Sequence, residues 1–475
     1  MGGLLIRQRS GFWCKLLALV LALVLMVPML VACDGGKEEK TTATPTQTPT
    51  PTATPKITPT PTTTPPTPTP TPMKIAMVIS DKQRVSSPDV ASSDLTDLVD
   101  GNSVFAFELY RALSAKDRNF FYSPYSIFLA LAMTYAGAHG ETERQMADTL
   151  HFILPQNRLH PAFNALDLEL ASRGKGAKSK DGQGFRLNVV NAIWGQKDYK
   201  FLSAYLDLLA ENYGAGLRVL DFKSAPEQSR ITINNWVSDQ TEGRIKDLIP
   251  KGSINLLTRL VLTNAIYFNA AWKLPFKPEA TTNGPFHLIN GDDVTVPMMK
   301  QTDYFGYAKS GNYLAVELPY DGDELSMVIL MTENGKFSDF ENTLKSPTLK
   351  AIIDNLKNTR VALTMPKFEF ESEFGLKETL MGMGMEEPFQ DSADFSGMSS
   401  ESDLHIDDVV HKAFVSVDEA GTEAAAATGV IMGTTSIPPE PVTVTIDRPF
   451  VFLIRDIKTG AIVFVGRVVN PSAPS

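Results

Sequence analysis

The residues able to do acid–base, nucleophilic or metal chemistry are few and scattered along the chain. Six histidines stand at 139, 151, 160, 287, 405 and 411, and none pairs with another at the spacing that lets two imidazoles grip a zinc ion. There is no Gly-x-Ser-x-Gly elbow to raise a serine nucleophile, and no glycine-rich loop to cradle phosphate. The only cysteines, Cys14 and Cys33, lie near the amino terminus, so the rest of the chain is free of thiol and disulfide chemistry. The adjacent acids Asp407-Asp408 and Glu386-Glu387 read as solvated faces, and His411, set in an apolar run, reads on its own as a satisfied buried ring. The chain reads as a non-enzyme, with no cofactor or metal expected.

What stands out is a segment suited to being acted upon. Residues 417–440, VDEAGTEAAAATGVIMGTTSIPPE, join two strong strand patterns and far exceed the usual 2–6 residue connection. Apart from Glu423, positions 421–429 are all Gly, Ala or Thr. If the segment became a strand, alternation would set Thr422, Ala424, Ala426 and Thr428 on one face and Glu423, Ala425 and Ala427 on the other. Small groups inward and a charge outward suit a new central strand. Composition alone fits an Ala-rich helical turn or a loop equally well.

The elements that must position this segment begin with an address. Arg7, Arg9 and Lys15 precede an apolar run from Leu16 to Val31, which ends at Ala32-Cys33. That is the layout of a secretory signal, and the run falls short of the ~20 residues of a transmembrane helix. The Ala-Cys ending resembles a bacterial lipobox, which implies removal of residues 1–32 and lipid on Cys33; a plain anchor or uncleaved signal is the alternative. Removing residues 1–32 takes away three positive charges, so the formal net charge of −10 becomes −13. An acidic chain with no basic stripe is a poor nucleic-acid partner. Residues 41–72 hold 16 Thr and 11 Pro and cannot form a core. They read as a stalk in polyproline II, with a reach on the order of 100 Å at ~3.1 Å per residue. We read residues 33–93 as lipidated Cys33, stalk and lead-in.

From 94 to 475 neither a low-complexity break nor an internal repeat appears, so one large domain is expected. Ser123-Pro124 caps a helix from Tyr125 to Ala136, with Gly137 as its stop. Ile231–Ile249 has helical spacing interrupted near Glu242-Gly243. Leu260–Phe268 reads as a strand covered on both faces, in which Asn264 is conspicuous. A hairpin is expected at Asp321-Gly322-Asp323. Strands are expected at Val361–Phe370, Val409–Val417, Val442–Ile446, Phe450–Arg455 and Ala461–Val469. Helices and strands in no βαβ rhythm give α+β.

Glu419-Ala420-Gly421-Thr422-Glu423-Ala424-Ala425-Ala426-Ala427-Thr428 closely resembles the hinge of an inhibitory serpin's reactive-centre loop. Further matches are Asn119 through Ser126 (NFFYSPYS), INNWVSDQTEGRIKDLI, LVLTNAIYFNAAWKLPF and the closing DRPFVFLIRDIKTGAIVFVGRVVNP, in order from about 94 to 471. The resemblance implies three β-sheets, about nine helices and an exposed reactive loop. It implies a monomeric suicide substrate for serine proteases, whose cleaved loop enters the main sheet and traps the acyl-enzyme. Carried over position by position, it sets the scissile bond at Thr435-Ser436, with Met432 as an alternative bait. A small, uncharged Thr435 favours elastase-like or subtilisin-like proteases over trypsin-like ones, whose buried acid wants Arg or Lys. It also implies a sheet-opening cluster of Ser123, Ser126, Asn264 and His411, and an upper-sheet pair of Lys367 and Glu419 near Trp272. A non-inhibitory carrier or chaperone, and cross-class inhibition of papain-like cysteine proteases, stay open beside it. With the lipid on Cys33, the expected setting is the outer face of the cell membrane.

Overall fold

The computed structural model describes residues 73–114, 117–177, 185–401, 404–422 and 440–473. Cys33, the stalk, Glu423, Ala424–Ala427, Thr428, Met432, Thr435 and Ser436 lie outside the described residues. The α+β class holds, with nine α-helices among the described residues.

The main sheet has seven strands: β1 (Ala76–Val78), β2 (Arg186–Gln196), β3 (Leu217–Leu220), β4 (Leu260–Ala271), β5 (Phe368–Gly375), β6 (Asp408–Val417) and β7 (Gly421–Thr422), in the spatial order β1-β3-β2-β4-β7-β6-β5. All twelve residues of β4 are buried, as an apolar run covered on both faces requires. The other nine strands hydrogen-bond as one network rather than the two sheets expected. The reason is one long strand, Asp293–Ser310, whose first part pairs with Thr282–His287, whose middle pairs with Lys357–Pro366 and whose end pairs with Tyr313–Pro319. It stitches what would be two sheets into one.

Helix α1 (Pro124–Tyr135) starts as its sequence signals, with Pro124 at its first position and the Ser123 side chain accepting from the Ser126 N–H. Helix α2 (Pro226–Gln240) is shorter than the 231–249 pattern suggests. Glu242 and Gly243 take left-handed backbone angles, φ 53° and 75°. The Asn234 amide then bonds both the N–H and the C=O of Ile249, so the second half of the pattern closes as a loop against α2. The hairpin at Asp321–Asp323 joins Tyr313–Pro319 to Leu325–Met331.

The pattern expected to be one strand over Val361–Phe370 is two. Pro366, which has no N–H to donate, ends a strand of the nine-stranded network, and Phe368 begins β5 of the main sheet. Lys367 sits at the crossing between sheets. Between the sheets, Phe121, Phe368, Phe452 and Phe464 form part of one apolar cluster, while the helices pack into a second.

Candidate functional site

The seam between β4 and β6 is the site. At its lower end the two strands pair directly and in parallel, from Asp408↔Val261 to Ala413↔Ile266. Asp407 closes that end: its carboxylate accepts from the N–H groups of Arg259 (2.7 Å) and Leu260 (3.2 Å). The Asp407-Asp408 pair is thus no solvated face. Burial raises the Asp408 carboxyl, and Asp407 ties β6 to the start of β4.

At the upper end β7 lies between them. Gly421 pairs with Ala271, and Thr422 pairs with Ala270 on one side and Val417 on the other, antiparallel to both strands. Between these two zones Tyr267–Asn269 and Phe414–Ser416 have no ladder partner across the seam among the described residues. The expected loop is therefore not wholly outside the sheet: its hinge residues Gly421 and Thr422 are already strand, and both are buried. Thr422 is 1% exposed, and its hydroxyl meets that of Tyr320 at 2.7 Å.

Above β7 the chain turns tightly. The Trp272 N–H and indole N–H donate to the C=O of Ala420 (2.9 Å) and Asp418 (3.0 Å), and the Phe276 N–H donates to the C=O of Glu419 (2.7 Å). Glu419 accepts from Lys367 Nζ and from Thr281 Oγ1, each at 2.7 Å. Burial would raise this carboxyl, but the two hydrogen bonds outweigh it and hold it below the usual range. Lys367, Glu419 and Trp272 thus stand together over the end of the seam. The ion pair is partly exposed and contributes little stability by itself; its bond to Thr281 and the two Trp272 bonds fix the turn.

Under the closed zone lies the polar cluster. Ser123 N–H donates to His411 Nε2 at 3.2 Å, which leaves the imidazole proton on Nδ1, where it donates to Asn264 Oδ1. Asn264 Nδ2 donates to Ser126 Oγ (2.6 Å), and Ser123 Oγ donates to the C=O of Val463 (2.7 Å). Burial pushes the His411 ring down to about 3, so it is neutral. The structure brings all four expected residues together and adds Asn191 on β2, which pairs with Asn264 across the ladder and hydrogen-bonds Ser126 (3.0 Å). The signal for Asn191 was present in the sequence, an amide set between Val190 and Ala192 in the run LNVVNAIW, an oddity like the one that marks Asn264. Neither Asp407 nor Tyr320 carried such a signal. Each matters only through what the fold sets beside it.

Among the described residues the arrangement brings together no nucleophile–base pair, and no group of three His, Cys, Asp or Glu that could hold a metal ion. A strand pair held by six direct pairings has a wedge already started at one end.

Residues 100–471 match the family model described as Serpin (serine protease inhibitor). The chain is 42% identical over 377 residues to a serpin-like protein of Thermococcus kodakarensis, covering 79% of this chain and 86% of that one. It is 39% identical over 386 residues to the leukocyte elastase inhibitor of Homo sapiens, covering 79% and 99%. Its fold is similar to that of human thyroxine-binding globulin complexed with thyroxine, with a TM-score of 0.72, 30% identity, and coverage of 80% of this chain and 100% of that one.

Proposed function

The chain belongs to the serpin family, and from that premise we propose that it is a suicide-substrate inhibitor of elastase-like or subtilisin-like serine proteases. The observation that carries this reading is the pair Gly421-Thr422, wedged between β4 and β6 and antiparallel to both. Continuing both ladders brings Ala424 level with Phe268 and Val415, Ala426 level with Ile266 and Ala413, and Thr428 level with Asn264 and His411. Thr422 faces inward with Tyr320, so Ala424, Ala426 and Thr428 face inward too. Methyl side chains fit among the aromatic and aliphatic groups there. The hydroxyl of Thr428 arrives where the Asn264–His411 bond has just parted and needs a replacement partner.

Insertion breaks one parallel seam and makes two antiparallel ones, so the sheet gains backbone hydrogen bonds. That gain supplies the drive. The protease serine attacks the Thr435 carbonyl, the C–N bond to Ser436 breaks, and the new amine leaves with a proton from the protease's general acid. Thr435 stays esterified to the protease serine. Insertion then races against hydrolysis of that ester by water. The hinge residues 421–428, small apart from Glu423, which the register points outward, favour insertion.

The proposed setting is the outer face of the cell membrane, with lipid on Cys33 and residues 41–72 as a stalk. The signal-like amino terminus supports it.

The test mixes the purified protein with pancreatic elastase and, separately, with subtilisin. A complex that survives SDS and an amino-terminal sequence beginning at Ser436 are expected. Cleavage at that bond with no complex for either protease would overturn inhibition and favour a carrier role of the kind named for thyroxine-binding globulin.

A further inference from the structure

Tyr320 follows the strand Tyr313–Pro319 and is fully buried beneath the upper seam. Its ring is held from two directions and its backbone is fixed as well. It stacks on Trp272 with centroids 4.7 Å apart and planes 10° from parallel, and it meets the edge of Phe268 at 5.1 Å and 79°. Its backbone forms a bridge with Trp272, and its N–H donates to the C=O of Leu325 at 3.0 Å. A ring fixed in this way has one choice left, the partner of its hydroxyl, and that partner is Thr422 Oγ1 at 2.7 Å. Both groups are out of water, so each would be left unsatisfied if the other moved away.

The insertion reaction has a register problem. A slip of one residue turns every side chain of the entering strand to the wrong face, and a slip of two keeps the faces but shifts each residue to the wrong level. Sliding by two would set Ala420 or Ala424 at the level of Ala270, and neither has a hydroxyl to offer Tyr320. Ala424 and Ala426 are interchangeable in packing and carry no register information. Only the hydroxyl of Thr422 distinguishes its level from theirs near the mouth of the seam.

We propose that Tyr320 is a positioning residue for loop insertion: its hydroxyl pins Thr422 at the level of Ala270 and so sets the register in which the rest of the loop enters the sheet. This rests on the insertion reading above but not on whether a protease is trapped. Among the described residues the one hydrogen-bond partner of the Tyr320 hydroxyl is Thr422. Tyr320 acts through Thr422 alone, by holding the first strand residues of the loop where a correct ladder can propagate from them.

The experiment compares the full chain with Tyr320→Phe, Thr422→Val, Thr422→Ser and the double variant Tyr320→Phe/Thr422→Val. Each is nicked in the loop with a small amount of subtilisin, which is then quenched. The rate at which the nicked protein gains resistance to heat is followed together with tryptophan fluorescence. Tyr320→Phe and Thr422→Val should each slow the gain about fivefold, the loss expected of one buried hydrogen bond. Thr422→Ser, which keeps the hydroxyl, should restore the wild-type rate, and the double variant should be no slower than either single one. A structural role alone would lower the melting temperature before nicking, leave the insertion rate unchanged and make the two substitutions additive. Either unchanged rates or additive slowing overturns the inference. A parallel measurement of the moles of inhibitor consumed per protease trapped separates the two readings. If the nicked wild type gains heat resistance without trapping, inhibition fails and the inference on Tyr320 is still decided by the rates.

Discussion

His411 shows what burial does to one titratable group, and His160 repeats it elsewhere. Both rings are pushed down to about 3 by burial, His160 beside the Tyr213 hydroxyl at 2.6 Å. In the unfolded chain each would titrate near ~6.5. Between those values the unfolded state binds more protons than the folded one, so stability rises with pH across the window. It is fully present above ~6.5 and lost as pH falls. Each ring should cost up to about 1.4 kcal/mol per pH unit in the acid range. His405 acts in the opposite sense. The Asp407 carboxylate, 3.7 Å from its Nε2, raises its pKa, so its stabilisation is present at low pH and lost as pH rises through the folded value. Urea unfolding from pH 7.5 to 5 should therefore show falling stability, a shallower fall in His411→Gln and a steeper one in His405→Gln. An identical slope in His411→Gln and the wild type would contradict the neutral, buried assignment.

At the scale of elements, the ladder makes a period-two statement about the loop. In the proposed insertion, the register of Thr422 would bring Ala426 level with Ile266 and Ala413 on the inward face and put Ala425 on the opposite face. Extra methylenes in a packed core cost ~1–3 kcal/mol. Ala426→Leu should raise the inhibitor consumed per protease trapped by about tenfold, since slower insertion lets water win the race. Ala425→Leu should change it less than twofold. Titration of elastase with each variant reads the ratio, and equal effects would mean the loop does not enter as a strand in this register. The same scale explains where sequence reading fell short. Ser123-Pro124 and the apolar β4 carry their own signals. The break at Pro366-Lys367 and the closing of 244–249 onto Asn234 depend on which neighbour each segment meets.

For the whole molecule, direction matters. β4 runs from the clasp at Asp407 up to the hinge, and β2, β3 and β1 are anchored to it in register, so Ala76 enters beside Val219 toward the clasp end. Met73, whose N–H donates to Thr232 Oγ1 at 2.8 Å, precedes it. The described residues thus begin, at Met73, at the end of the sheet away from the hinge. In the proposed mechanism the inserting loop would run from the hinge toward that same end, carrying Thr435 and its attached protease with it. If residues 41–72 are the stalk of a protein anchored by lipid on Cys33, as proposed, deleting them should lower the yield of trapped elastase on intact cells severalfold while leaving that of the detergent-released protein unchanged. Equal yields on cells would show that the stalk supplies no needed clearance.

The sequence by itself determined the mixed class and named the four residues that meet in the polar cluster; the three-part layout and the small-residue alternation of the hinge are its expectations for residues outside those described. These are written in local composition and period, and in a family likeness carried by contiguous motifs. Tertiary structure alone decided that Gly421 and Thr422 already lie in the sheet, that Asp407 clasps the start of β4, that Tyr320 holds Thr422, and that two sheets are stitched into one. Each of these is a meeting of residues more than sixty positions apart, or a strand shared between partners, and strand pairing over such distances leaves no periodicity in either segment from which the partner could be read.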